Sequence, residues 1–198
     1  MYKVKMDGQV LYYPGDKEAV LTAPTVNLQT GYAGTFEFTV PPINPLYDKI
    51  QNRRSMVSVF RDSKEIFYGE VRKRPKVDRY KNKSVYCAGA MSFLSDSIQP
   101  QAEYHGMTPE QMLGAFLDIH NSQVEDRKKI YLGIVTITDP NDSLYRYTNF
   151  ENTLKAVREK LVDKLGGYLR LRHENDRLYL DWITLEEYGK YCNQPIEF

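Results

Sequence analysis

The spacing of apolar positions changes character about halfway along the chain. In the first half apolar residues recur at every second position, the period of a strand with one covered face. Tyr2, Val4 and Met6 alternate with Lys3 and Lys5, and Asp7-Gly8 supplies a two-residue turn into Val10-Leu11-Tyr12-Tyr13. Pro14-Gly15-Asp16 breaks the run, and two further strands are predicted over 19–30 and 35–40, around Gly31 and Gly34. In the second of these Phe36, Phe38 and Val40 share one face, and Thr35, Glu37 and Thr39 the other. Pro41-Pro42 ends that strand because neither residue can donate to a ladder. Residues 44–52 read as a loop or short helical turn. Two hairpins follow: 56–61 with 65–73 around Asp62-Ser63-Lys64, and 77–80 with 84–91 around Lys81-Asn82-Lys83. Roughly seven or eight strands in about ninety residues predict a small barrel or sandwich.

The second half mixes helices with strands. Thr108-Pro109-Glu110-Gln111 is a helix start in which threonine caps, proline takes the first helical position and Gln111 completes a capping box. Met112, Leu113, Phe116, Leu117 and His120 then fall on one helical stripe. Strands are predicted over 130–138, closed by Asp139-Pro140-Asn141-Asp142, and over 144–148. A second helix is predicted over 152–165, with Leu154, Val157, Leu161 and Leu165 on one face, ended by a left-handed cap at Gly166-Gly167. A hairpin turning at Glu174-Asn175-Asp176 returns through Leu178, Leu180, Trp182 and Ile183. The domain boundary is expected near 97–106, dividing the chain into a β-barrel domain, 1–97, and an α+β region, 98–198. The final Ile196-Glu197-Phe198 reads as a cut inside a longer protein.

Charge narrows the functions available. With 27 basic and 26 acidic residues the net charge is +1, which gives no long-range attraction to nucleic acid or anionic membrane. The one basic cluster is Arg72, Lys73, Arg74, Lys76, Arg79, Lys81 and Lys83. It reads as a solvated β-ribbon, with a binding face as the alternative. Cys87 and Cys192 are far apart; Cys87 sits in a strand pattern and reads as a buried free thiol. The N-terminus lacks an apolar core of signal-peptide length, and no stretch approaches the run of about 18 apolar residues that spans a bilayer. The chain is thus expected to be made in the cytoplasm, with no visible secretory route and no membrane partner. Its 16 tyrosines suit strands and subunit interfaces.

Candidate chemistry is sparse. His105, His120 and His173 are read in a loop, a helix end and a turn, and none has a histidine four residues away, so the helical zinc pattern is missing. Gly166-Gly167 closes a helix and cradles no phosphate, and no serine lies in a G-x-S-x-G elbow. Glu186-Glu187 is read on a solvated turn and Glu125-Asp126 in a charged linker. No catalytic residue, cofactor or metal ligand is therefore expected. Phe60, Phe67, Tyr68, Tyr145, Tyr147, Phe150, Tyr168 and Tyr179 could form a carbohydrate-stacking surface; the simpler account places them in the core and at subunit interfaces.

The order of these pieces resembles a known family. Tyr147-Thr148-Asn149-Phe150-Glu151-Asn152-Thr153-Leu154, then a helix, then Lys164-Leu165-Gly166-Gly167-Tyr168-Leu169-Arg170, looks like siphophage and prophage minor tail proteins. These are the "prophage endopeptidase tail" or tail-associated lysin proteins. Phe67-Tyr68-Gly69-Glu70-Val71 and Tyr86-Cys87-Ala88-Gly89-Ala90-Met91-Ser92-Phe93-Leu94 fit the same pattern, with Leu94-Ser95-Asp96 where the family ends a ladder strand in a leucine-aspartate step.

The resemblance implies an α+β, mostly β, baseplate-hub-like fold: two small tube-like β-barrel domains with short helical insertions. It implies a homotrimeric ring at the virion tail tip, assembled in the bacterial cytoplasm and bound to the distal tail protein and other tip proteins. DNA and the tape-measure protein would pass through the lumen without specific binding. In such a ring Glu37, Thr39, Ser58 and Arg72 would face lumen or solvent, while Phe36, Phe38, Val57 and Val59 build the barrel. Lytic or receptor-binding activity in the family lies in later segments, so no endopeptidase activity is expected of these residues. Two alternatives stand beside the hub: a receptor- or carbohydrate-binding tail module using exposed tyrosines or Trp182, and the N-terminal part of a cell-wall-degrading tail lysin.

Overall fold

The computed structural model of the chain describes residues 1–142, 144 and 147–191. Tyr145, Cys192, the terminal stretch from 193 and part of the strand expected over 144–148 lie outside the described residues. The chain forms two compact units, Met1–Gln29 with Ala33–Ala90, and Thr30–Tyr32 with the chain from Met91 onward.

The first unit is a curled half-barrel sheet. Its strands are β1 (Tyr2–Met6), β2 (Gln9–Tyr12), β3 (Thr22–Asn27), β4 (Thr35–Val40), β5 (Met56–Arg61), β6 (Lys64–Val71), β7 (Lys76–Val77) and β8 (Lys83–Gly89). They pair antiparallel in the order β2-β1-β5-β6-β8-β4-β3, with β7 also on β8. Two hairpins close on two-residue turns in which both residues take positive φ: Asp7 and Gly8 at 49° and 79°, Asp62 and Ser63 at 48° and 73°. That geometry matches the right-handed twist of the flanking strands.

The alternation read in β4 is observed. Phe36, Phe38 and Val40 are buried while Glu37 is exposed, and Val57 and Val59 of β5 are buried beside them. The Phe36 ring lies 4.7 Å from Phe38 and 5.9 Å from Phe67 between centroids. Cys87 is a buried free thiol, and burial pushes its pKa far up. Asn44, in the loop before a short 3-10 turn at Tyr47–Lys49, is also buried. Its Nδ2 donates to the carbonyls of Leu11 (2.9 Å) and Val20 (3.0 Å), and its Oδ1 accepts from the Leu46 amide (3.0 Å). One side chain so ties its own loop to strand β2 and to the loop before β3.

Two strands differ from expectation. The strand predicted over 19–30 is only Thr22–Asn27, interrupted by an irregularity between Thr22 and Thr25 where Pro24 lacks a donor and Ala23 takes φ 49°. The strand predicted over 77–80 is only Lys76–Val77. The Asp78 carboxylate accepts from the amides of Tyr80 and Asn82, both at 2.8 Å, and moves the turn to Asp78–Asn82.

The second unit packs helix α1 (Pro109–Gln123) on a three-stranded sheet. Thr108 caps α1 through the expected box: its Oγ1 accepts from the Gln111 amide, and the Gln111 side chain accepts from the Thr108 amide. All five residues of the predicted stripe are buried. A two-stranded ladder joins β9 (Ala102–Glu103) and β11 (Tyr147–Thr148). The sheet has the order β10 (Ile130–Val135), β13 (Arg177–Ile183), β12 (Tyr168–Glu174), with β10 parallel and β12 antiparallel to β13. Asn175 and Asp176, at φ 51° and 58°, turn the β12–β13 hairpin.

The helix predicted over 152–165 is continuous but not uniformly α. It runs as α2 (Thr153–Ala156), a π turn (Val157–Val162) and α3 (Asp163–Leu165). The π turn shifts the buried face, so Thr153, Ala156, Val157 and Leu161 are buried while Leu154 and Leu165 are half-buried. Gly166 then adopts φ 74°, ψ −157°, outside the left-handed cap expected there and in a region essentially open to glycine only. This aims its carbonyl at the buried Trp182, whose Nε1 donates to it at 2.9 Å. Thr30–Tyr32 joins this unit through Arg158, whose guanidinium donates to the Gly31 carbonyl (2.9 Å) and lies 4.1 Å from the Tyr32 ring. Helix α4 (Leu185–Tyr191) follows β13, so Glu186 and Glu187 occupy a helical first turn, not an open one. His173 likewise lies in β12, not in the turn after it.

Phe38→Asp places a carboxylate at the centre of the half-barrel core. The loss exceeds the about 3–5 kcal/mol typical of phenylalanine truncation, because the charge is buried without a partner. The variant should show no cooperative thermal transition by circular dichroism; a native-like transition would remove Phe38 from the core.

Candidate functional site

The most organised polar group in the molecule is enclosed in the second unit. His120 Nε2 meets the Lys128 carbonyl at 3.1 Å, so this nitrogen donates and Nδ1 accepts. Nδ1 lies 2.7 Å from Ser97 Oγ, which donates to it, and Ser97 Oγ accepts from Thr153 Oγ1 at 2.7 Å. Thr153 Oγ1 in turn accepts from Gln99 Nε2 (2.8 Å), whose second hydrogen goes to the Phe116 carbonyl (3.0 Å). Every hydroxyl direction in this chain is set by the two carbonyls at its ends.

Ser97 and His120 thus have the contact of a nucleophile and its base. Both are sealed, at 1% and 0% exposure, and a substrate carbonyl has no approach to Ser97. The group is a buried polar core that locks α1 to Ser97 and α2. Desolvation depresses the His120 pKa, and the Lys128 carbonyl and the Asp96 carboxylate only partly oppose it.

A second buried polar group is Asp181, in the middle of β13. It accepts from the Ile134 amide (2.8 Å), Arg170 Nε (2.9 Å) and Arg172 Nε (2.7 Å). Burial alone would raise this carboxyl; the hydrogen bonds from Arg172, the Ile134 amide and Arg170 outweigh it and hold the pKa below the ordinary carboxylate range. Gly133 is required here, since a Cβ at that position would collide with Asp181 Oδ1. The irregularity between Leu132 and Val135 follows from that close approach.

The second unit carries an open groove of about 600 Å³, lined by Met107, Glu110, Val135, Ile137, Asp139 and Asp142 among others. It offers carboxylates, hydroxyls and apolar side chains. Among the described residues no group of three or more His, Cys, Asp or Glu is placed to hold a metal ion.

The sequence candidates disperse. His105 is exposed beside Glu103 (3.2 Å), Glu125 pairs with Arg127 (2.7 Å) and Asp126 with Lys129 (2.7 Å). Of the aromatics, Phe67 belongs to the first unit's core, Phe150 is exposed, and Tyr168 and Tyr179 are half-buried against Tyr188 and Tyr131. Trp182 is fully buried and presents no surface. Of the basic cluster, Lys73, Arg74, Lys76, Arg79 and Lys81 are exposed on and beside β7, while Arg72 and Lys83 are half-buried. Ser97, Gln99, Thr153 and Asp181 were not singled out by sequence. Only Asp181 carried a local signal, as a lone acid between Leu180 and Trp182 in an apolar strand.

The fold of the chain is that of phage tail proteins. It is similar to the tail protein from Neisseria meningitidis MC58, with a TM-score of 0.54 and 17% identity over 90% of this chain and 50% of that one. It is similar also to the 43 kDa tail protein of prophage MuSo2 from Shewanella oneidensis, with a TM-score of 0.51 and 15% identity over 90% of this chain and 54% of that one. The chain spans about half the length of these proteins. No protein-family model matches the sequence, and no curated protein matches it.

The depressed pKa of His120 makes folding acid-sensitive. The folded state holds the ring neutral, whereas the unfolded chain takes up the proton near pH 6.5. The stabilisation is therefore complete above about pH 6.5 and is lost as pH falls through the lower folded value. Urea midpoints should fall between about pH 7 and pH 5, and His120→Gln should flatten that dependence; an unchanged slope in the variant would assign the acid sensitivity elsewhere. Asp181→Ala leaves two guanidinium groups without their shared carboxylate and should cost about 3 kcal/mol in the same measurement at neutral pH.

Proposed function

We propose that the chain is a structural component of a phage or prophage tail, and within it part of the hub ring that joins the tail tube and distal tail protein to the tip. The observation that carries this reading is the tail-protein fold over nine-tenths of the chain. The sheet supports it physically. Its most deeply buried apolar side chains belong to the half-barrel core, and the alternate face sets Glu37, Thr39 and Ser58 among the half-buried Met56, Phe60 and Tyr68. Such a face can line a passage without holding what moves through it. Arg72 lies just past β6 with its Nε 3.3 Å from the buried Glu70, and it marks the rim of the sheet.

The role is geometric, not chemical. Three copies in a closed ring would form a wall for DNA and the tape-measure protein to cross, and any lytic step would belong to other segments. The sealed Ser97–His120 pair is consistent with that division. Such a ring assembles in the cytoplasm and remains at the virion tail tip.

Light scattering over a range of concentrations tests the ring directly. A stable mass about three times the 23.1 kDa chain is expected for closed three-fold symmetry. A monomer at every concentration would overturn the ring for this chain. Saturable retention on purified cell-wall polysaccharide would favour a receptor-binding module instead.

A further inference from the structure

The basic ribbon is not explained by forming a wall. Residues 72–83 hold seven basic side chains and one acidic, Asp78, a local charge of +6, so the rest of the chain carries −5 of the total +1. The near-neutral total therefore conceals a strongly positive segment on one hairpin. That hairpin is rigid. β7 pairs with β8, Asp78 accepts from the amides of Tyr80 and Asn82 and from Asn82 Nδ2 (3.0 Å), and the Tyr47 hydroxyl donates to the Lys81 carbonyl. The only acid of the segment is thus engaged in building its tip.

The cations fall into two groups. Arg72 is drawn to Glu70, and Lys83 contacts Asp48 (3.2 Å) and lies 3.7 Å from the Tyr47 ring centre. Arg74, Lys76 and Lys81 make no ion pair among the described residues. The Arg79 guanidinium rests 4.6 Å from the ring of Tyr80, itself 65% exposed, and the Lys73 ammonium 4.1 Å from Tyr86. Unpaired like charges crowded on a fixed hairpin repel one another, and a polyanion relieves that repulsion.

We propose that the β7–β8 ribbon contacts the phosphate backbone of duplex DNA. A cluster of exposed cations on one hairpin, two of them against tyrosine rings, fits the dense row of phosphates, about one charge per 1.7 Å of duplex, and arginine forks match phosphate oxygens. An acidic protein surface fits less well, because the ribbon has no concave apolar centre of the kind protein interfaces use; Val77 and Tyr80 are its only large exposed apolar side chains. The contact is short-ranged and sequence-independent, because phosphates carry no base identity and screening at physiological salt acts over about 8 Å. The inference rests on the tail reading only for the source of the DNA.

Fluorescence anisotropy of a labelled duplex of about 20 base pairs, titrated with the full chain between about 50 and 200 mM salt, tests it. With Arg74, Lys76, Arg79 and Lys81 engaged, log affinity should fall against log salt with a slope of about −3.6. Lys76→Glu with Lys81→Glu should weaken binding at least about tenfold at the lowest salt and reduce the slope by about two. Lys3→Glu with Lys17→Glu, an equal charge change outside residues 72–83, should leave binding within about twofold. The neutral pair Lys76→Gln with Lys81→Gln, checked by circular dichroism, separates charge from folding.

No salt-dependent binding by the unmodified chain would overturn the proposal, as would equal losses in the ribbon and control variants. Polyglutamate bound as tightly as DNA at equal charge would assign the ribbon to an acidic protein partner and overturn it too. A trimer that ignores DNA would sink the ribbon assignment alone, and a monomer that binds DNA would sink the ring alone.

Discussion

A curled sheet with one enclosed face tolerates no slip between strands. Moving a strand by one residue would turn its apolar set outward and bring polar side chains into the core. Phe36 and Phe38 on β4, Val57 and Val59 on β5 and Phe67 on β6 are buried in one register, and the first unit depends on their staying there. Two features hold that register from outside the core. The two-residue turns at Asp7-Gly8 and Asp62-Ser63 fix the partner of each strand, and Asn44 fastens its loop to β2 and to the loop before β3 with one amide. The opposite face carries Glu37, Thr39 and Ser58 among half-buried Met56, Phe60 and Tyr68, and so differs from the enclosed one. That asymmetry underlies the proposed role as a wall.

In the second unit polar groups play the part that phenylalanine plays in the first. The chain from Gln99 through Thr153, Ser97 and His120 to the Lys128 carbonyl joins segments distant in sequence, and within it only Gln99 Oε1 is left without a partner. A buried network of this kind resists alternative packings, because breaking one member strands the others without partners. Enclosure also decides its function. A serine beside a histidine is a reactive pair only where a substrate can reach it, and here burial converts the pair into a clamp. Asp181 works similarly, binding Arg170, Arg172 and the Ile134 amide across the sheet, and it requires a glycine opposite.

The Ser97–His120 group and Asp181 are engaged in packing, while the cationic hairpin stands exposed with Arg74, Lys76 and Lys81 outside any ion pair among the described residues. A tail component needs a wall that does not adhere and, where it meets DNA, a contact that forms and breaks readily. Salt-screened contact with phosphates has that property, whereas a deep apolar pocket would not.

How much of this was legible depends on the range of the forces involved. The capping box of α1, the hairpin turns and the alternation of β4 follow from neighbours within a few residues, and local sequence determined them. So did the absence of the helical zinc and nucleophile-elbow patterns and the basic character of the ribbon. The π turn in the second helix, the shortening of the strand near Pro24 and the turn captured by Asp78 came from tertiary competition for the same backbone groups. Ser97 and His120 are 23 residues apart and Ser97 and Thr153 are 56 apart, so no local pattern could join them. Composition and spacing established a strand-rich half followed by a helix-bearing one. Only folding decided which polar residues were sealed inside and which stayed in reach of a partner, because burial depends on the whole chain closing around a residue and not on the residue itself.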